Sequence, residues 1–329
     1  MSAPRPENGR SRLAEGSRRS PLRPPATLGL GLVLALAVGA CSAGDGAGNR
    51  SSAPSGGGAL RVVATTSVLA DMTRHVGGAR VTVSSIIPPG VGPEDYEPRP
   101  EDARALATAD LIVSNGMGLD DFLARLIEAG TDRAAHQVVL GEGIPAISTD
   151  GRPNPHFWLD PTLVARYYVT KLETGLAEAD PAGAATYRSN GAAFAAELGP
   201  LDAELQAEVA RIPAGQRKLV TDHDAFPYFA RHFGFELVGV VLPNVGQEPT
   251  AADMAALVTE VRAAGVRAIF SEAQFSPRLV QALAAEAGVS LVSTLYSDAL
   301  GSAPADSYEG LLRWDVGQIV AGLTGGAGG

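Results

Sequence analysis

The sequence predicts an α/β protein of two lobes, each with a mostly parallel sheet flanked by helices, joined by a long bridging helix. Short runs rich in Val, Ile and Leu alternate with helix-like segments over residues 60–140 and again over residues 218–323. Such alternation is typical of parallel sheets covered by helices on both faces. Between them, residues 161–211 are rich in Ala, Leu and Glu and lack a strand signal, which predicts helices that connect the lobes.

The composition is that of a folded protein with an acidic surface. The chain has 329 residues, of which 45% are hydrophobic, enough for roughly two domains. Its net charge of −10 argues against nucleic acid as a partner. The single cysteine excludes a disulfide scaffold, a Cys-rich zinc ribbon and an iron–sulfur site.

Residues 1–40 predict a lipoprotein signal peptide. Arginines dominate the charges of the first 27 residues, and the apolar run Leu28–Val38 that follows is too short to span a bilayer. The segment Val38-Gly39-Ala40-Cys41 resembles the lipobox of bacterial lipoproteins, in which the cysteine is lipidated. Lipid on Cys41 would hold the protein on the outer face of the cell membrane. A free buried cysteine is the alternative.

A Gly/Ser-rich stretch, residues 41–59, predicts a lipid-anchored tether before the N-terminal lobe, residues 60–180. The strands expected in this lobe are 61–65, 80–87, 111–114 and 137–140. The helices expected in it are 68–76, 100–109, 119–129 and 161–178. Asp160-Pro161 is a capping residue followed by proline at the first helical position, which begins a helix well.

The bridging helix is predicted within residues 181–212, with Gly199-Pro200 expected to kink or interrupt it. The C-terminal lobe, residues 213–324, precedes a Gly-rich tail, 325–329, that is expected to be disordered. The strands expected in this lobe are 218–221, 236–242, 267–271 and 289–294. The helices expected in it are 226–233, 251–264, 278–287 and 306–323.

Candidate metal ligands lie just after predicted strands, where ligands bind in open α/β sheets. They are Glu94 with its neighbour Asp95, His156, His223 and Asp298. Each lobe contributes two of these positions, so they could meet in the cleft between lobes. No local motif such as His-Glu-x-x-His is present. The alternatives are a solvated loop acid at 94, a packed loop histidine at 156, a helix-terminal histidine at 223 and a turn or capping residue at 298.

Other titratable residues have weaker signals. Glu272 follows the strand 267–271, so it is a candidate for supporting a ligand, with a surface role as the alternative. The remaining histidines His75, His136 and His232 are expected to be structural or exposed, because nothing around them in the sequence suggests a site.

Three segments carry a family resemblance: residues 90–98, residues 223–229 and above all Asn154-Pro155-His156-Phe157-Trp158-Leu159-Asp160-Pro161. Together they resemble the zinc/manganese-binding family of ABC-transporter solute-binding lipoproteins. Residues 62–71, 109–116 and 296–301 are similar to that family too. The resemblance covers roughly residues 60–322, and the Pro-His-x-Trp-Leu-Asp-Pro element is its most specific part.

This resemblance implies two lobes bridged by a long helix, with one divalent metal held between them by position 94, His156, His223 and Asp298. It also implies that the metal (manganese or zinc, with iron(II) as a third option) is cargo delivered to the membrane permease of an ABC importer. The protein is then a monomer and not an enzyme. Family members usually have histidine where this chain has Glu94; Asp95 is an alternative ligand, and a three-residue site is another.

A site of two imidazoles and two carboxylates is harder than one with three histidines, which favours manganese or iron(II) slightly over zinc. Residues 141–155 also contain no histidine, whereas many zinc-importing family members have a His-rich loop there. Because histidine must be neutral to bind a metal, the affinity is expected to fall below about pH 6.

Two further functions compete with metal capture. An exported metal-dependent hydrolase could use a His/His/Asp set with an open coordination position for water. A receptor for a metal chelate could use the same two-lobed fold without direct bonds from protein to metal. Metal capture for an importer is the favoured interpretation, because no nucleophile elbow and no separate general base are evident in the sequence.

Overall fold

A computed structural model describes residues 58–325, apart from 94–95, 124–125, 127–134, 150 and 244. The predicted signal peptide, Cys41, and the candidates Glu94 and Asp95 lie outside the described residues, as does part of the helix expected at 119–129. Among the helices that are described, none combines the length and the apolar character needed to cross a bilayer.

The first sheet is four-stranded and entirely parallel, as predicted. Its strands are β1 (Leu60–Ala64), β2 (Val81–Ser85), β3 (Leu111–Ser114) and β4 (His136–Val139). They lie in the order β2-β1-β3-β4. All four carboxyl ends therefore lie at one edge of the sheet, and the chain leaves that edge through loops that can carry functional side chains.

Helices α1 (Ser67–Gly77) and α2 (Pro100–Thr108) connect these strands. After β4, a short antiparallel hairpin of β5 (Ser148–Thr149) and β6 (Arg152–Pro153) was not anticipated from the sequence. A helical segment then runs through Pro161–Leu163 and the π-helical turn Val164–Tyr168 into α3 (Val169–Ala179). Asp160 caps its start as expected, since its Oδ1 accepts a hydrogen bond from Thr162 N at 3.0 Å.

The long helix α4 (Ala184–Val209) has 26 residues and is about 39 Å long. The helix continues through Pro200, so the expected interruption at Gly199-Pro200 is wrong, while the kink that was its alternative stays a prediction. Pro200 is exposed, and so is Ala196, whose carbonyl loses its helical partner to the proline. Water can satisfy that carbonyl, which explains why a proline is tolerated inside this helix.

The second set of strands is also parallel, with β7 (Lys218–Thr221) paired to β8 (Glu236–Val240), and β9 (Ala268–Glu272) paired to β10 (Ser290–Leu295). Strands β7 and β9 lie next to each other. The accompanying helices are α5 (Pro227–Phe233), α6 (Ala251–Ala264), α7 (Arg278–Ala287) and α8 (Tyr308–Thr324).

Both halves of the fold share one core. The largest buried cluster includes Val62 of β1, Phe194 of α4, Phe270 of β9 and Ile319 of α8. Each half also has a smaller apolar cluster of its own. Because α4 packs into the shared cluster, it holds the two lobes together, and large independent movements of the lobes would expose apolar surface.

The packing of the helix α3 on β4 generates a stability prediction. A Cβ added at Gly175 would overlap the Val138 side chain, whereas a Cβ at Gly199, also inside a helix, would meet nothing within 4 Å. Gly175→Ala should therefore lower the free energy of unfolding by about 1–3 kcal/mol through overpacking. Gly199→Ala should leave it unchanged or raise it by up to about 1 kcal/mol, because alanine favours the helix. Urea denaturation measures both, and equal effects would contradict this packing.

Candidate metal centre

His156 lies at the start of a 3-10 turn, Phe157–Leu159, and its ring is held by Asn154. Asn154 Oδ1 accepts a hydrogen bond from His156 N at 3.1 Å and lies 3.0 Å from His156 Nδ1. An amide oxygen only accepts, so Nδ1 carries the proton and Nε2 is directed toward the site. Asn154 is itself fixed, because its Nδ2 donates to the carbonyl of Asp224 at 2.7 Å.

His223 directly follows β7 and is held in the same way by Glu272, at the end of β9. Glu272 Oε1 accepts from His223 N at 3.0 Å, and its Oε2 lies 2.8 Å from His223 Nδ1. Glu272 is only 1% exposed. The surface role left open for it is therefore wrong: it is a buried partner that orients the His223 ring.

Asp298 follows β10 and completes a group of three donors. Its Oδ1 lies 3.2 Å from His156 Nε2, its Oδ2 lies 3.3 Å from His223 Nε2, and the two Nε2 atoms are 3.3 Å apart. Ligand atoms about 2.1 Å from a tetrahedral metal are roughly 3.4 Å from one another. All three residues are buried. The donor atoms thus have both the spacing and the chemistry of ligands to one cation.

A network of hydrogen bonds supports Asp298 and Glu272. Gln274 Nε2 donates to Asp298 Oδ2 at 2.9 Å and to Ser297 Oγ at 2.6 Å. Ser297 Oγ in turn donates to Glu272 Oε2 at 2.5 Å. Trp158 Nε1 donates to the Ser297 carbonyl at 2.7 Å. The loop that carries Asp298 is therefore tied to the segment that carries His156.

The charges of the site compensate one another. Burial opposes a charged imidazole, but Glu272 and Asp298 outweigh that effect and hold the pKa of His223 well above its ordinary value. Burial would likewise raise the pKa of Asp298, but His223 and His156 keep it well below the usual range. In the metal-free protein, His223 is thus an imidazolium between two carboxylates, and its proton supplies positive charge where a metal would.

Of the predicted site residues, the structure brings together His156, His223 and Asp298, with Glu272 behind them. Gln274 and Ser297 were not among the predicted site residues, although Ser297 lies in the segment 296–301 that resembles the family. Asn154 could have been recognised, since it stands two residues before His156 in the motif. His136 is exposed, as expected.

His232 is structural, also as expected. Its Nε2 lies 2.5 Å from Asp202 Oδ1, and its Nδ1 lies 3.5 Å from Asp160 Oδ1. It links α5 to the bridging helix.

Comparison with known proteins places this architecture among the metal-binding substrate-binding proteins of ABC transporters. More narrowly, the chain belongs to the family described as "Zinc-uptake complex component A periplasmic", whose profile matches residues 62–322. The family resemblance of the sequence motifs is thereby confirmed, and so is the two-lobed α/β fold class.

Relatives of the chain are named for different metals. The manganese-binding lipoprotein MntA of Halalkalibacterium halodurans is 31% identical, over 89% of this chain and 96% of the relative. The iron-binding protein YfeA of Yersinia pestis is 32% identical, over 80% of this chain and 86% of the relative. These names concern the binding of metals, and they give no support to the hydrolase alternative.

Solved structures have the same fold. The periplasmic zinc binding protein TroA from Treponema pallidum superposes with a TM-score of 0.75 at 30% identity, covering 81% of this chain and 99% of that one. The Mn-bound periplasmic metal binding protein from Candidatus Liberibacter asiaticus has a TM-score of 0.73 at 26% identity, covering 80% and 99%.

The contact between Glu272 and His223 generates a pH prediction. In Glu272→Gln the pKa of His223 in the metal-free protein should fall toward its ordinary value of about 6.5, because a negative charge next to the ring is lost. A raised folded-state pKa stabilises the fold below the unfolded value, and that contribution disappears as pH rises through the folded value. The variant should therefore lose part of its stability on the acidic side. NMR titration of the imidazole protons and urea denaturation measure the two effects.

The matched control for this prediction is Glu236→Gln, an exposed carboxylate at the start of β8. It should leave the pKa of His223 unchanged. An unchanged pKa in Glu272→Gln would show that Glu272 does not govern the charge of the ring.

Proposed function

We propose that the protein captures one divalent transition metal between its lobes and delivers it to the permease of an ABC importer. His156, His223 and Asp298 are the proposed ligands, with Glu94 as the fourth and Asp95 as its alternative. The observation that carries the proposal is the convergence of three buried donor groups, from three separate segments, within 3.3 Å of one another. Membership of the family supports the importer role.

The anchored rings supply the binding chemistry. With each Nδ1 turned toward an oxygen of Asn154 or Glu272, each Nε2 can present a lone pair to the cation once His223 gives up its proton. Two imidazoles and two carboxylates form a hard set, so we propose manganese or iron(II) as cargo over zinc. Zinc is still expected to bind, since divalent affinity generally favours zinc over manganese and iron(II).

Proton competition sets the pH range of binding. Because the pKa of His223 is raised, a metal must displace a proton even near neutral pH, and its affinity should fall about tenfold for each unit below that pKa. The loss therefore begins at a higher pH than the value of about 6 expected for ordinary histidines. Because the same nitrogen of His223 would bind either a proton or the metal, a fall in pH favours release of the metal.

The N-terminal region would place the protein at the membrane. Lipid on Cys41 and the tether over residues 42–59 would keep the two lobes close to the outer face of the membrane, within reach of a permease.

The proposed division is an N-terminal lobe of residues 60–180, a bridge of 181–212 and a C-terminal lobe of 213–324. The protein acts as a monomeric carrier and catalyses no reaction.

Metal binding is tested by thermal unfolding of chelator-stripped protein, residues 42–329, with manganese, iron(II) and zinc in separate runs. A metal at a hundredfold excess over its Kd should stabilise the protein by about 2.7 kcal/mol. His156→Ala should abolish most of the shift, whereas His136→Ala, which removes an exposed histidine, should leave it intact. Absence of a shift with all three metals would exclude direct capture and favour the chelate receptor.

The fourth ligand is tested with the pair Glu94→Gln and Asp95→Asn. If Glu94 binds the metal, its substitution should weaken manganese binding by at least about tenfold and zinc binding by less, because the lost ligand is a hard carboxylate. Asp95→Asn should have little effect on either metal. Isothermal titration measures both affinities, and the reverse pattern would assign Asp95 as the ligand.

A further inference from the structure

A second group of metal-binding side chains lies apart from the central site. Asp71 and His75 are on α1, and Glu309 is in the first turn of α8. His75 Nε2 lies 3.7 Å from Asp71 Oδ2 and 3.7 Å from Glu309 Oε1. His75 was expected to be structural or exposed. Its proximity to Glu309 could not be foreseen, because Glu309 lies near the opposite end of the sequence and only the fold brings the two together.

The three side chains are already oriented toward one point. Asp71 and His75 are four residues apart on one helix, so they share a face. The His75 ring stacks on Phe194, with ring centroids 4.5 Å apart and planes inclined by 18°. Asp71 Oδ2 accepts a hydrogen bond from Tyr308 N at 2.9 Å. Since a carboxylate oxygen has a second lone pair, this bond fixes Asp71 and leaves it able to bind a cation.

The cluster is accessible from solvent. The His75 side chain is 32% exposed, and those of Asp71 and Glu309 are 15% and 16% exposed. Glu309 also lines an open groove between α4 and α8 that contains Glu197 and Glu204. A cation can therefore reach the cluster from solvent, through a groove that holds both acidic side chains and Arg313, which is paired with Glu204.

We propose that Asp71, His75 and Glu309 form a second divalent metal site, with water in the remaining coordination positions. The three donor atoms lie within 4.8 Å of one another, and His75 Nε2 is 3.7 Å from each carboxylate. Movements of about 1 Å would bring them to the spacing of roughly 3.0–3.4 Å that ligands of one ion have. One imidazole and two carboxylates would bind zinc more tightly than manganese, as divalent affinities generally do.

A metal in this site would join α1 of the N-terminal lobe to α8 of the C-terminal lobe. Asp71 and His75 belong to the helix that follows β1, and Glu309 belongs to the last helix of the chain. Tyr308 connects the cluster to the central site, because its N donates to Asp71 and its OH donates to the Trp158 carbonyl at 2.7 Å. A zinc ion here would stabilise the arrangement of lobes in which the central donors converge.

Zinc stoichiometry tests the proposal. Equilibrium dialysis of residues 42–329, which keep every described residue, should give about two zinc equivalents for the unsubstituted protein and about one for His75→Gln. The double variant His156→Ala/His223→Ala, in which the central site is disabled, should still bind about one equivalent of zinc. Adding His75→Gln or Glu309→Gln to that variant should abolish binding, whereas adding His136→Gln should not.

The outcomes separate the two sites. If the central site were not a metal site, the unsubstituted protein would bind one equivalent that His75→Gln removes. If the second site does not exist, His75→Gln leaves the stoichiometry of the unsubstituted protein unchanged, and that result overturns the proposal. The proposal would also be overturned if the double variant His156→Ala/His223→Ala still bound zinc after His75→Gln or Glu309→Gln had been added to it. Circular dichroism of each variant checks the fold.

Discussion

The buried pair of Glu272 and His223 is the interaction on which the rest of the site depends. Glu272 Oε1 holds the backbone of residue 223, its Oε2 faces the His223 ring, and its own N–H donates to Asp222 Oδ2 at 2.6 Å. These bonds join the ends of β7 and β9. Two carboxylates, Glu272 and Asp298, are thereby buried together, and burying them without positive charge would cost several kcal/mol. Positive charge, from a proton or from a metal, therefore stabilises the site.

Much of the fold could be predicted because its signals are local. Val- and Ile-rich strands and capped helices placed most of the fully described elements within two residues of their observed bounds, but the hairpin of β5 and β6 had no such signal. The continuity of α4 through Pro200 could not be predicted, since it depends on which side of the helix faces water. At the site, His156, His223 and Asp298 were predictable because each lies after a predicted strand and within a segment that resembles the family. The role of Glu272 was not predictable, because the sequence does not show that the end of β9, which carries this carboxylate, lies next to the end of β7.

The shared core limits how the site can open. The lobes are joined through α4 and through apolar residues contributed by both, so a wide separation would expose much of the largest cluster. A wide separation is also unnecessary. Metal–ligand bonds are about 2.1 Å long, so a relative shift of about 1 Å between the loops of His156 and Asp298 breaks the coordination. Small sliding motions of packed elements are the kind of movement that such a core permits.

If His223 and Asp298 bind the metal as proposed, proton and metal compete for the same buried negative charge, and this competition would explain how a tight site can also release its cargo. If the donors were left bare when the metal departs, Asp298 and Glu272 would repel each other in a buried environment, and release would be strongly opposed. Protonation of His223 removes that penalty, because the imidazolium replaces the cation between the two carboxylates. The two carboxylates thus favour metal binding. The protonated His223 between them stabilises the metal-free state, which lowers the free-energy cost of releasing the metal.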